Sequence, residues 1–156
     1  MRSPAVLLFL TLFAVSCGSS DVSDSGGGNS MIPDGPLGAG PYPVATLDIT
    51  VTHPDTGDIS YTISCLGDTA TLLGDVPLSA ESACTALANA DVRTRLIDGA
   101  PAEQICTKIY GGPDIATIVG TYDSDRVNTT VDRSNGCGID DWERLFGGIL
   151  PPATGI

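Results

Sequence analysis

Positive charge is scarce in this chain. Its 156 residues include only 7 lysines and arginines against 19 acidic residues, for a net charge of −12. Like charge repels, so nucleic acid and anionic membrane surfaces are excluded as partners, whereas solubility and encounter with a basic protein are favoured. Histidine is nearly absent: His53 stands alone, beside Pro54 in turn-forming sequence. A cysteine nucleophile would need it as a base, and every cysteine of the domain has a structural use, so no enzyme is expected. No two cysteines have the close Cys-x-x-Cys spacing of a zinc site. Asp55-Thr56-Gly57-Asp58 and Asp123-Ser124-Asp125 lack the ligand spacing of a calcium loop and read as hairpin turns. Neither metal nor cofactor is expected. No internal repeat is visible, and the length allows one domain plus appendages.

The longest apolar run lies at the start. Met1-Arg2-Ser3 gives a short positive beginning, and 5–15 is apolar except for one threonine, too short to span a bilayer comfortably. It ends at Phe13-Ala14-Val15-Ser16-Cys17, which resembles a bacterial lipoprotein processing box, with Ala14 where leucine is commoner. The expectation is a signal peptide over 1–16, lipidation of Cys17, and an exported protein anchored at the cell surface. The alternative is ordinary cleavage near Ser16 and free secretion. Membrane contact is then expected only through the lipid. From 17 to 41 the composition is mostly Gly, Ser, Asp and Pro, a flexible tether with almost nothing to bury.

With Cys17 set aside, the 5 cysteines leave Cys65, Cys84, Cys106 and Cys137. An even number in an exported chain reads as two disulfides. Four cysteines allow three pairings, which sequence alone does not choose among. Sequential pairing, Cys65–Cys84 and Cys106–Cys137, closes the shortest loops and is the one expected.

The folded part begins near Tyr42. Ala45, Leu47, Ile49 and Val51 alternate with polar residues, and so do Ile59, Tyr61, Ile63 and Cys65 after a His53–Gly57 turn, which predicts an antiparallel hairpin. An alanine-rich stretch, 83–90, reads as a helix capped by Ser79. A break near Gly99-Ala100-Pro101 follows. Asp114 to Tyr122 and then Val127, Thr129 and Val131 read as a second hairpin about Asp123-Ser124-Asp125. Asp140 to Phe146 reads as a short amphipathic helix with acidic residues at its start and Trp142, Leu145 and Phe146 in the core, stopped by Gly147-Gly148. The order is β-β-α-loop-β-β-α. This is an α+β domain with an antiparallel sheet of about five strands and two short helices. Asn128-Thr129-Thr130 matches a glycosylation acceptor, a signal weak by itself.

Between the two halves lies Cys106-Thr107-Lys108-Ile109-Tyr110-Gly111-Gly112-Pro113, which holds the chain's single lysine. A long cation on a disulfide-braced loop suits the specificity pocket of a trypsin-like enzyme, where a carboxylate waits. On spacing alone, a surface lysine with no task is the plainer reading.

From about Tyr42 to Phe146 the sequence resembles the Streptomyces subtilisin inhibitor family. Cys65 and Cys84 bracket the first helix as the family's first disulfide does. Cys106 and Cys137 have the separation of its second. Cys106-Thr107-Lys108-Ile109-Tyr110 is similar to the family's reactive loop, and Gly111-Gly112-Pro113, Gly120 and Asn135-Gly136-Cys137 also look like family sequence. The resemblance implies an inhibitor-like domain over 42–150, followed by a tail, 151–156, with no family counterpart. It implies a serine protease as partner, trypsin-like or subtilisin-like, and a homodimer through the sheet. Lys108 would be P1, Lys108–Ile109 the scissile bond, Cys106 P3, Thr107 P2 and Tyr110 P2′. The alternative on the same fold is a non-inhibitory cell-surface binding or structural module, with the loop a braced surface turn.

Overall fold

A computed structural model describes residues 40–154. The expected signal peptide, the Cys17 lipidation site, most of the tether and the last two residues lie outside the described residues.

Two period-two stretches set the architecture. β1 (Tyr42–Thr52) and β2 (Ile59–Gly67) pair antiparallel, with Leu47 opposite Ile63 and Ile49 opposite Tyr61. His53 closes the turn between them by accepting the amides of Asp55 and Thr56 on Nδ1. β4 (Ile115–Tyr122) and β5 (Asp125–Asp132) form the second hairpin, and β4 pairs antiparallel with β1. The residue-level reading did not place β3 (Thr69–Leu73), a short edge strand on β2. The sheet order is β3-β2-β1-β4-β5.

Alternation puts one face inside. Ala45, Leu47, Ile49, Val51, Tyr61, Ile63, Ala116, Ile118, Val127 and Val131 are buried, and the opposite face carries threonine and serine on β1 and β2.

The helices cover the apolar face. α1 (Ala80–Leu87) begins where the sequence indicates, with the Ser79 hydroxyl accepting from the Ser82 amide. The single helix expected over 83–90 is in fact two. Asn89 leaves the helical path and caps α2 (Ala90–Asp98), accepting from the Asp91 amide. The sheet finishes these helices from below: Tyr122 Oη donates to the Leu87 carbonyl (2.7 Å) and Thr129 Oγ1 to that of Leu96 (2.8 Å). Those carbonyls lie in the last turns, where helical partners run out.

The expected helix at Asp140–Phe146 is also different. α3 (Gly136–Asp140) starts earlier and runs into a wide π turn, Asp141–Leu145, in which the Phe146 amide reaches back to the Asp141 carbonyl. Trp142 and Phe146 are buried as expected, and Leu145 packs at the core's margin. The described helices therefore number three short ones, not two.

Both disulfides form in the sequential pairing, Cys65–Cys84 and Cys106–Cys137. Such bonds fit an oxidising, extracellular environment. No helix among the described residues is long and apolar enough to cross a membrane.

The acidic turns hold an arginine. Arg93 on α2 pairs with Asp125 (3.0 Å) and Asp123 (3.9 Å), with its guanidinium over the Tyr122 ring. These groups are about half exposed, where such a pair is worth about 1 kcal/mol at most.

Candidate functional site

Between α2 and β4 the chain leaves the core. Residues 104–112 run without helix, strand, turn or bend, and their side chains find little to pack against. Ile105 is 98% exposed, Ile109 61% and Tyr110 58%. Thr107 and Lys108 are exposed too. Three apolar or aromatic side chains in water around one cation are unusual, because burying any of them is worth roughly 1.5–3 kcal/mol.

The loop is exposed but not free. Cys106 is bonded to Cys137 in α3. One residue later the Thr107 carbonyl accepts the Gly136 amide at 3.0 Å. On the exit side the Gly111 amide donates to the Arg133 carbonyl at 2.8 Å. Lys108, Ile109 and Tyr110 therefore span the interval between two main-chain clamps. Asn135 stabilises the platform beneath by accepting the amides of Cys137 (3.0 Å) and Gly138 (3.1 Å).

Two glycines let the loop lie this close. A Cβ on Gly136 would stand 2.0 Å from Thr107 Oγ1. Gly112 has a positive φ of 130°, and a Cβ there would meet Arg133 Nη1 at 2.8 Å.

Under the exit clamp is a buried ionic cluster. Arg133, 7% exposed, donates from Nη1 to Asp114 (3.2 Å) and from Nη2 to Glu143 (3.2 Å). Asp114, 2% exposed, also accepts the Thr154 hydroxyl at 2.8 Å. A pair this buried stands on its hydrogen bonds, since removing one partner strands a charge.

The sequence reading brought Cys106, Thr107, Lys108, Ile109, Tyr110 and Cys137 together, and the structure places them on one loop and its base. It missed Asp114, Arg133 and Glu143, although a signal was present. Arg133 continues the inward parity of Val127, Thr129 and Val131, and Asp114 that of Ala116 and Ile118. The register sets Ile115 against Asp132, so the two inward charges meet one step beyond. A charge on the inward parity of each of two paired strands signals a buried ion pair.

Among the described residues Arg93, Arg95, Arg133 and Arg144 each have an acidic partner within 4 Å, while Lys108 and Arg126 have none. Lys108 presents an uncompensated cation at the tip of the loop.

No protein-family model matches the chain, and no similar curated protein or solved structure was found.

Proposed function

We propose that the domain is a serine protease inhibitor that offers Lys108–Ile109 as a substrate-like bond. The observation that carries this is the exposure of Lys108, Ile109 and Tyr110 between two main-chain clamps and a disulfide. A protease binds its substrate as an extended strand through main-chain hydrogen bonds. A strand already held in one path loses little entropy on docking, and that saving appears as affinity. Lys108 in a carboxylate-lined pocket supplies the hot spot of an interface of roughly 1,600 Å². Ile105, Ile109 and Tyr110 offer apolar area on either side.

The clamps also explain inhibition without turnover. If the bond is cut, Lys108 stays tied through Thr107 and Cys106, and Ile109 through the Gly111–Arg133 bond. The new amine remains beside the acyl group, and resynthesis competes with release. Selectivity follows from charge: a buried lysine without a pocket carboxylate is costly, so trypsin-like proteases are preferred and subtilisin-like ones are secondary.

Upstream, we infer export and lipidation at Cys17, with free secretion as the alternative. Palmitate labelling of the full chain, lost in Cys17→Ser, is the check; equal labelling in that variant would remove the anchor.

The function is tested by titrating trypsin and subtilisin with the exported chain. The expected result is stoichiometric trypsin inhibition, weakened in Lys108→Ala on the order of a thousandfold, as for a central hot spot. Inhibition of subtilisin alone would transfer the weight from the lysine to the loop backbone. No inhibition of either would leave a braced surface loop with another task.

A further inference from the structure

The segment that follows the π turn is built into the domain. Pro151 is buried, and its carbonyl accepts Trp142 Nε1 at 3.0 Å. Three residues on, the Thr154 hydroxyl donates to Asp114 Oδ1. Hollows of about 380 and 290 Å³ share Trp142, Pro151 and Pro152 as walls. The strap is therefore tied by hydrogen bonds at its two ends, with Ala153 packed at the core's margin between them.

We propose that the strap Pro151–Thr154 positions the loop, with Thr154 as the positioning residue. The linkage is a chain of single contacts. Thr154 occupies Asp114 Oδ1, Asp114 Oδ2 holds Arg133 Nη1, and the Arg133 carbonyl holds the Gly111 amide. Arg133 has little else to steady it. Its Nε is buried without a hydrogen-bond partner, and Glu143, its second carboxylate, is 55% exposed. Without the Thr154 hydroxyl, one oxygen of a carboxylate that is 2% exposed loses its partner. A buried acceptor left in that state is driven to rotate toward water, and rotation takes Oδ2 off Arg133.

This affects one side of the scissile bond only. The entry side is held by Cys137 and Gly136, which the strap does not touch. The exit side is what retains Ile109 after cleavage. Thr154 therefore governs how long a cut loop stays closed, more than how tightly the intact loop first binds. This consequence rests on the inhibitor reading; the linkage itself does not.

The test compares the full chain with Thr154→Val, which keeps the shape, and Thr154→Ser, which keeps the hydroxyl. Hydrogen exchange is followed at Gly111, Gly136 and the β1 amides, and trypsin hydrolysis of Lys108–Ile109 is followed in parallel. In Thr154→Val, exchange at Gly111 and hydrolysis should each rise roughly tenfold, the scale of one hydrogen bond to a charged group. Gly136, the β1 amides and the trypsin association rate should stay at wild-type values, and Thr154→Ser should restore both changes. Wild-type exchange at Gly111 in Thr154→Val would overturn the linkage. An equal rise at Gly111 and in β1 would overturn it too, since the strap would then serve stability in general. A wild-type chain that inhibits nothing would sink the inhibitor reading alone, and exchange at Gly111 would still decide the role of Thr154.

Discussion

The two disulfides are the same bond put to different uses. They span 19 and 31 residues, so by loop closure each stabilises the chain by about 3–4 kcal/mol. Their surroundings differ. Cys65 and Cys84 are 1% and 0% exposed and join β2 to α1 inside the core. Cys106 and Cys137 are only partly buried and join an exposed loop to α3. The first bridge lies among buried core residues of the same elements, such as Ile63, Ala83 and Leu87. The second lies where almost nothing else holds the loop, apart from two main-chain hydrogen bonds. Fold stability should thus depend on the inner bridge and loop shape on the outer one.

Cutting the outer bridge is the strongest test of that division. In Cys106→Ala/Cys137→Ala the P2–P1 strand loses its covalent tie, and the loop should turn from inhibitor into substrate. Trypsin hydrolysis of Lys108–Ile109 should rise on the order of a hundredfold, the equivalent of about 3 kcal/mol. Mild reduction of the wild type should do the same, since this bridge is the accessible one. If reduced and oxidised proteins were cleaved equally fast, the clamped-loop mechanism would be wrong.

The converse variant, Cys65→Ala/Cys84→Ala, should lower the melting temperature by about 10 °C or more, for a loss near 3 kcal/mol. Below its melting point it should inhibit as the wild type does. Calorimetry and a trypsin titration on one sample decide the matter. A folded variant that had become a trypsin substrate would mean the two regions are not separable.

A smaller effect should come from Gly136→Ala, which touches no bridge. Its Cβ would fall 2.0 Å from Thr107 Oγ1, and a β-branched side chain has few rotamers into which to retreat. Crowding of this kind typically costs 1–3 kcal/mol, here borne by the loop as it lifts from its platform. Inhibition should weaken by about tenfold or more with little change in melting. Thr107→Ala in the same chain should recover part of it. No recovery would point to lost backbone freedom at Gly136 as the cause.

These contrasts follow how much could be read from the sequence. The β1, β2 and β5 alternation was legible because a half-buried strand writes its face into every second residue, whereas β4 read as a strand with apolar residues on both faces. The four domain cysteines and the loop with its one lysine were visible in the sequence, but the choice among three pairings was not fixed by it; the structure supplies that. What escaped reading depends on contacts made across the fold. β3 is five residues on an edge, with Leu73 65% exposed, so its alternation carries little apolar signal. α2 buries only Val92 and Leu96 fully, with Ile97 at the core's margin, and its start is marked by Asn89, a capping asparagine inside an alanine-rich run that is easily read through. The extra residue of the π turn answers to Asp141, tied to Arg95 at 2.8 Å, and to the burial of Trp142. Pro151–Thr154 looked like a tail because the family resemblance had no counterpart for it. Only the distant partners Trp142 and Asp114 show otherwise.

Alkaline pH offers the mildest probe of the body. Tyr61 and Tyr122 are each 4% exposed, and their hydroxyls donate to the carbonyls of Ile149 (2.6 Å) and Leu87. Burial pushes both phenols above their ordinary pKa of 10.0; at Tyr122 the Asp123 carboxylate adds to the rise and Arg93 opposes it. A raised acid pKa means that the folded state holds its proton more tightly than the unfolded one. The associated stability is complete below pH 10 and is lost as pH climbs toward the folded values. Melting temperature should therefore be flat with respect to these groups from pH 7 to 9 and fall above 10. In Tyr61→Phe the protein should be less stable at neutral pH by about 1 kcal/mol, since the Ile149 carbonyl loses its donor. Its alkaline slope should be shallower, so the two curves converge as pH rises.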